Sequence, residues 1–438
     1  MGFAKQFVAT VEANRTAKDE LAGAVGKQRG RRRISVTDLV NPRQAFFRRT
    51  RPEIQPTPER VQAMLSGTGF HDLFGKTVSS EEFVEQFVEM QGIVGKIDVY
   101  QDIPIELKTT SFVPHDIGAS RPAYIDQLGM YCAMTSSPNG RLIIYKRPGR
   151  LHPAVLRAYD VAYSDLSSVV NEMVRRRDLL QEALVAGNPA GLSACEWFES
   201  GCDYANVCGC GEVAKSGGVV SLASVTVIEN RGLVDSIDSQ LGRGPTLSNQ
   251  FRLNDLVFPR KAVLERRAVE EDEEASETEI EVRLADLDRQ GFYGALTEAI
   301  RFGVPGAFAR IAVELRTIRG WVSTYRGIPT IVRPTKLADF VQTKRIPEVF
   351  GHYLDRLAIE CALSGNELGR IVVYYQSMPE DKFMVYDVAF TRLSEIVAEA
   401  DRRVALLEAG APAAELPPCP AWMAKFCSFA PWCGCAKG

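Results

Sequence analysis

The segment "IDVYQDIPIELK", Ile97 to Lys108, sets two carboxylates and an amine among apolar residues that alternate with the period of a strand. Strand geometry sends Glu106 and Lys108 to one face and Ile105 and Leu107 to the other, and Asp98, on the strand before, can approach the first of these faces. Charges on half-buried strands cost free energy unless they are partnered. Two carboxylates converging at a sheet edge can hold a hard cation through oxygen, with the lysine facing its bound water or a phosphate.

A second chemistry lies in the cysteines. Eight of the ten fall in two groups of the same spacing, "CEWFESGCDYANVCGC" (Cys195, Cys202, Cys208, Cys210) and "CPAWMAKFCSFAPWCGC" (Cys419, Cys427, Cys433, Cys435). Four thiolates in one loop-rich segment point to a metal rather than to core packing. Zinc and [4Fe–4S] centres both accept four cysteines, and spacing does not separate them. Cys132 and Cys361 fall in apolar helical stretches and read as core.

The cysteine groups belong to a longer repeat. "VTDLVNPRQAFFRR" from Val36 returns as "LNDLVFPRKAVLERR" from Leu253, "VEMQGIVGKIDVY" from Val88 as "VELRTIRGWVSTY" from Val313, and "YIDQLGMYCAM" from Tyr124 as "YLDRLAIECAL" from Tyr353. A period of this length is a duplicated domain. The expected organisation is an N-terminal helix and basic arm (1–34), a first domain (35–211), a Gly- and Ser-rich linker (212–250) and a second domain (251–438). The acidic run from Glu270 reads as a solvated loop.

Within the first copy, the pattern predicts helices near Val36 to Arg49 and Pro58 to Phe74, strands around Phe87 to Tyr100 and Ile103 to Lys108, and a helix over Ala123 to Met134. Strands at "RLIIYKR" and "LRAYDVAY" and a long amphipathic helix over Tyr163 to Ala186 follow. This order fits an α/β or α+β fold, a mixed central sheet flanked by helices.

The joint order of His71, Asp98, Glu106-x-Lys108, Gln127-x-x-x-Tyr131 and the first cysteine group resembles the PD-(D/E)xK superfamily. Within it, the order is similar to that of RecB-like nucleases with an iron–sulfur cluster, of the CRISPR-associated exonuclease and AddB nuclease-domain type. The resemblance spans about Ser35 to Cys210. It implies two tandem restriction-endonuclease-like domains and Mg²⁺ or Mn²⁺ ligation by His71, Asp98 and Glu106, with the Leu107 carbonyl as a further ligand. It implies that Lys108 orients water or stabilises charge on the phosphate, and that Gln127 and Tyr131 position the strand or support the lysine. It also implies a [4Fe–4S] cluster at each cysteine group. The chain departs from the family in one place: Asn41-Pro42-Arg43 and Phe258-Pro259-Arg260 stand where an early Cys-Pro-Arg would supply a ligand. Either Cys210 and Cys435 replace that ligand, or the sites are rebuilt for zinc.

In the second copy, Tyr293, Ser323, Ile331, Arg333, Arg356 and Glu360 stand where the first has His71, Asp98, Glu106, Lys108, Gln127 and Tyr131. The apolar pattern persists and the acids do not, so this copy reads as a pseudonuclease. Arg333 and Arg356 can hold phosphate or pair with local acids such as Glu360. The expected substrate is DNA, single-stranded or with free ends. The alternative is a DNA-binding scaffold or accessory subunit of a helicase or CRISPR adaptation complex. A net charge of −3 neither requires nor excludes a polyanion, since binding needs only a local basic surface such as Lys27 to Arg33 or Phe46 to Arg51. No apolar run is long enough to cross a bilayer, and the opening residues, read as a surface helix, lack a signal-peptide pattern, so a cytoplasmic protein without a membrane partner is expected.

Overall fold

A computed structural model of the chain describes residues 2–25, 33–149, 152–196, 202–214, 225–242, 250–271, 277–420, 423, 427 and 429–435. Most of the basic arm, Lys27 to Arg32, and residues 272–276 of the acidic run lie outside the described residues. The chain begins with β1 (Val8–Ala13) and α1 (Arg15–Val25). The first repeat then runs β2 (Ile34–Ser35), α2 (Val36–Val40), α3 (Pro42–Thr50), α4 (Pro58–Val78), β3 (Val84–Met90), β4 (Ile93–Tyr100), β5 (Pro104–Thr110), α5 (Ile117–Ser120), α6 (Pro122–Met134), β6 (Asn139–Lys146), β7 (Val155–Tyr163), α7 (Leu166–Ala186) and α8 (Ala205–Cys208). After β8 (Val225–Glu229) and α9 (Arg231–Gly242), the second repeat gives α10 (Pro259–Glu271), α11 (Glu277–Gly303), β9 (Phe308–Leu315), β10 (Ile318–Tyr325), β11 (Ile328–Thr335), α12 (Ile346–Val349), α13 (Gly351–Leu363), β12 (Leu368–Tyr375), β13 (Phe383–Phe390), α14 (Leu393–Glu408) and α15 (Ala430–Cys433).

The fold is mixed α and β with mixed sheets, as expected. Its described residues divide into two compact units. The first holds residues 28–240 and 287–292; the second holds 1–27, 241–286 and 293–438. In the first unit the sheet order is β2-β4-β5-β6-β7-β8, with β3 paired to β4; in the second it is β1-β13-β12-β11-β10-β9. The central pair is parallel in each, β5 on β6 and β11 on β12. Flanking hairpins are antiparallel, β4 on β5 and β10 on β11.

Local sequence explains the frame. In β4, Ile93, Gly95, Ile97 and Val99 are buried while Lys96 is exposed, the alternation of a strand with one covered face. On α6, Ala123 and the nine consecutive residues from Ile125 to Ala133 lie buried, as the helix packs on the sheet among Leu142, Ile144 and Val161. Each such aliphatic side chain contributes about 1.5–3 kcal/mol by leaving water. Asp165 caps α7 by accepting from the Ser168 amide at 3.1 Å, and Gly187 ends that helix in the left-handed region at φ 66°.

Several expectations change. The helix read across Val36 to Arg49 is two helices, broken at Asn41 because Pro42 has no amide to continue the ladder. The strand read over Phe87 to Tyr100 is a hairpin, turned at Gln91 and Gly92, both with positive φ. The opening segment, read as a surface helix, is a 3₁₀ turn followed by β1 and α1. The presumed linker contains β8 and α9.

These last two differences share a cause. "TVEANR" from Thr10 and "TVIENR" from Thr226 are the same strand-to-helix joint. β1 pairs with β13, so the strand ahead of the first repeat completes the sheet built by the second. β8, ahead of the second repeat, pairs with β7 of the first. The joints dock alike: Asn14 accepts from the Ala17 amide at 2.9 Å and donates to Asp387 at 2.7 Å, while Asn230 accepts from Leu233 at 2.9 Å and donates to Asp160 at 2.6 Å. Each strand therefore completes the sheet of the other repeat.

Candidate functional site

In the first unit, Asp98 on β4, Glu106 and Lys108 on β5, His71 on α4, and Gln127 and Tyr131 on α6 come together. The Lys108 ammonium donates to Glu106 and, at 2.9 Å, to Gln127 Oε1. Gln127 Nε2 donates to Glu106 Oε1 at 2.7 Å and reaches the Tyr131 hydroxyl at 3.4 Å. Asp98 Oδ2 accepts from the Leu107 amide at 2.8 Å and lies 3.5 Å from His71 Nδ1. The Leu107 N–H is thus tied to Asp98, a contact separate from the expected role of its carbonyl. Gly95 makes room for this cluster: a Cβ there would meet the Tyr131 ring at 2.8 Å.

Burial sets the electrostatics. The Glu106 carboxyl is pushed up to about 7, first by burial and then by Asp98, against the pull of Lys108. Asp98 moves the other way: burial raises it, but His71, Lys108 and the Leu107 amide together outweigh that and hold it low. Lys108, penalised by burial, is held above its ordinary range by Glu106 and Asp98. Tyr131 is raised well above the usual phenol range by burial and by the same two acids.

Two buried atoms of this cluster, Glu106 Oε2 and His71 Nε2, have no hydrogen-bond partner among the described residues. Oxygen and imidazole lone pairs left in this state fit the donor set of a divalent cation. Among the described residues, however, no group of three or more His, Cys, Asp or Glu has the arrangement of a metal-binding set. Glu106 is instead drawn to Lys108 and Gln127; the residues fit a cation by the chemistry of their donors and by their orphaned lone pairs, and not by their arrangement.

The equivalent slots of the second unit hold different chemistry. Arg356 is paired with Glu360 one helical turn away, the local acid that the sequence offers it. Arg333 donates to the Val332 carbonyl at 2.8 Å, with its guanidinium 5.1 Å from the Tyr293 ring and 5.7 Å from Tyr353. Arg301, which the repeat alone does not single out, donates to Ser323 at 3.1 Å.

In the cysteine segments, Cys195, Cys208 and Cys210 are buried and Cys202 is half-buried. Cys210 is in hydrogen-bonding contact with both Cys195 and Cys208. In the second group, Cys419 donates its amide to Cys435 Sγ at 3.2 Å, and Cys435 donates its own to Cys433 Sγ at 3.3 Å. Burial first, then neighbouring sulfurs, pushes Cys208 up to about 11 and Cys419 to about 12. Tyr204 is buried and stacks on Phe47 at 6.1 Å.

The arginine of each Pro-Arg pair, standing next to the place of the missing cysteine, has its own task. Arg43 donates to the Leu192 carbonyl at 3.0 Å and to that of Cys208, while Arg260 donates to Leu416 and Cys433, both at 2.8 Å. The Gln44 amide donates to Cys195 Sγ at 3.2 Å. The start of α3 and of α10 thus holds the cysteine segment by its backbone. The recurrence of Pro-Arg in step with the cysteines is the signal that could have revealed this.

No helix among the described residues is long and apolar enough to cross a membrane. No family model matches the chain, and no curated protein matches it. Among solved structures, the crystal structure of SSO0001 is similar at 19% identity and a TM-score of 0.30, over 44% of this chain and 93% of that one.

Proposed function

We propose that the first unit hydrolyses phosphodiester bonds in DNA by metal-dependent chemistry of the PD-(D/E)xK, RecB-like type, on a restriction-endonuclease-like fold, and that the second unit is a degenerate copy. The observation that carries this reading is the convergence of Lys108, Glu106 and Gln127 in one hydrogen-bonded cluster beside Asp98 and His71. Asp98, Glu106 and His71 would hold Mg²⁺ or Mn²⁺, which lowers the pKa of a bound water and offsets charge on the scissile phosphate. Gln127 fixes the Lys108 ammonium, which is thereby aimed to hold the attacking water or a phosphate oxygen. Tyr131 stays protonated and buttresses Gln127. DNA, single-stranded or with free ends, is the substrate, and [4Fe–4S] clusters, with zinc as the alternative, are the proposed occupants of the cysteine groups. Metal analysis of anaerobically purified protein, with absorbance near about 400 nm for iron–sulfur, decides between the two.

The activity is tested with labelled single- and double-stranded DNA and Mn²⁺, beside Glu106→Gln and Lys108→Ala. Loss of hydrolysis in both variants with retained folding supports the reading. A second reading, a DNA-binding scaffold or accessory subunit of a helicase or CRISPR adaptation complex, draws on the ion pair with Lys108 that occupies Glu106. Identical behaviour of wild type and both variants favours it.

A further inference from the structure

In the second unit, β9 and β10 form a hairpin that is covered on one face along β10 and exposed on both faces over Ala309 to Ala312 of β9. Val313, Val322 and Thr324 lie buried on one side; Arg310, Ala312 and Trp321 are exposed on the other, with Ser323 half-buried among them. Arg310 stands directly across from Ser323, and Ala312 from Trp321. Directly opposed residues share a face, as do residues two apart along a strand, so these four form one patch.

Trp321 is 61% exposed. Its cross-strand neighbour Ala312 is too small to cover an indole, so the ring is left available on a rigid strand. A lone exposed tryptophan is common on surfaces; here the charge around it adds a second observation. Arg301 reaches Ser323 from α11, and Arg301, Phe308 and Arg310 line an open depression of about 310 Å³ at the Ser323 end of the patch. Arg301 is also paired with Glu298 at 2.9 Å, whose side chain is 71% exposed, a contact of the kind that adds little stability and exchanges readily. Arg310 makes no ion pair among the described residues. Ser323 occupies the position that Asp98 holds in the first unit, so a place that gathers carboxylates there gathers guanidinium groups here.

Cations at one end and a bare aromatic face about 7 Å along the strand match a phosphate and its neighbouring unpaired base. Duplex DNA keeps its bases stacked and offers no free face to an indole, whereas single strands are held by arginine and aromatic platforms in this way. We infer that the open face of the β9–β10 hairpin binds single-stranded nucleic acid, with Trp321 stacking on a base and Arg301 and Arg310 holding the adjacent phosphate. The inference deepens the proposed function and rests on it for the choice of a nucleic acid over other polyanions. It gives the degenerate unit the task of gripping the unpaired strand.

The test is binding of fluorescein-labelled oligo(dT) to the full chain in EDTA, where no hydrolysis takes place. Trp321→Ala should weaken binding by about 5- to 150-fold, as one lost stacking contact does, with Trp321→Phe restoring most of it. Arg310→Gln should lower the slope of log affinity against log salt by about 1. Thermal melting of each variant within a few degrees of wild type establishes that the fold is kept, and quenching of tryptophan emission on titrating wild type with oligo(dT) gives a readout that needs no variant. Unchanged affinity in Trp321→Ala and Arg310→Gln, absent quenching, or equal affinity for a duplex of the same length overturns the inference. A wild type that binds oligo(dT) through Trp321 but never cleaves DNA with Mn²⁺ sinks the nuclease reading alone; cleavage lost in Glu106→Gln with Trp321→Ala binding as wild type sinks this inference alone.

Discussion

The two units carry the same slots on the same elements and fill them with different chemistry. On α6 of the first unit, Gln127 and Tyr131 support a buried Glu106–Lys108 pair; on α13 of the second, the same two positions are Arg356 and Glu360, which satisfy each other. Glu106 is replaced by Ile331, which is buried in the second unit's core. Around these changes the support is unaltered. Asp38 accepts from Arg49 at 2.8 Å and Asp255 from Arg266 at 3.1 Å; Arg141 pairs with Asp160 and Arg370 with Asp387. The shared fold goes with the second set of contacts, and the proposed chemistry with the first, so the two copies keep one frame while differing in their acids.

The sharpest way to break this comparison is at the acids. Glu106→Gln or Lys108→Ala should lower DNA hydrolysis by about 10²- to 10³-fold or more, while a change at the equivalent Ile331, to Val, leaves it unaltered; steady-state rates on labelled DNA with Mn²⁺ check both. Next are the arginines that hold the cysteine segments. Arg43 is buried and Arg260 half-buried, so Arg43→Ala should cost about 2–4 kcal/mol by orphaning buried carbonyls and Arg260→Ala less. Denaturant melts, with metal content per unit, measure this; equal losses would remove the distinction.

A third difference lies at His352, which answers to Ala123 in the first unit. Burial first, then Arg333, lowers its pKa to about 3. A histidine kept neutral in the fold contributes stability above its unfolded value near pH 6.5, and that stability is lost as pH falls toward the folded value. Between pH 6.5 and 5 the loss is about 2 kcal/mol. His352→Gln should flatten this acid limb in melts across that range. Asp355, raised to about 6 by burial, acts in the opposite direction between pH 4 and 6 and remains in the variant. The smallest effect concerns Cys132 and Cys361, which lie against glycines of β6 and β12. A Cβ on Gly140 would stand 2.7 Å from Cys132 Sγ, and one on Gly369 2.5 Å from Cys361 Sγ. Gly140→Ala should destabilise by about 1–3 kcal/mol, and Cys132→Ala in the same chain should recover only part of that loss, because the added Cβ also stands 2.8 Å from Leu128 Cδ1. A cysteine whose task is metal binding would give no such recovery.

The candidate site was legible because its residues are close in sequence and their directions follow from periodicity: Glu106 and Lys108 are two apart on a strand, Gln127 and Tyr131 four apart on a helix. Arg356 was ambiguous for the same reason, since Glu360 lies one turn away. Nothing local marks Trp321 as exposed; that depends on Ala312, nine residues earlier and across a hairpin.

The amino-acid sequence by itself determined the duplication, the order of helices and strands within each repeat, and which copy retains acids and amine, because hydrophobic period and side-chain chemistry are local properties. Only the tertiary structure decided that β1 and β8 complete each other's repeats' sheets, that Arg43 and Arg260 bind the cysteine segments by their carbonyls, and that Glu106 is buried deeply enough for its carboxyl to be pushed above the ordinary range. An edge strand's amides, a guanidinium's donors and a carboxylate's hydration each depend on what distant parts of the chain bring alongside, and no spacing in the sequence encodes that.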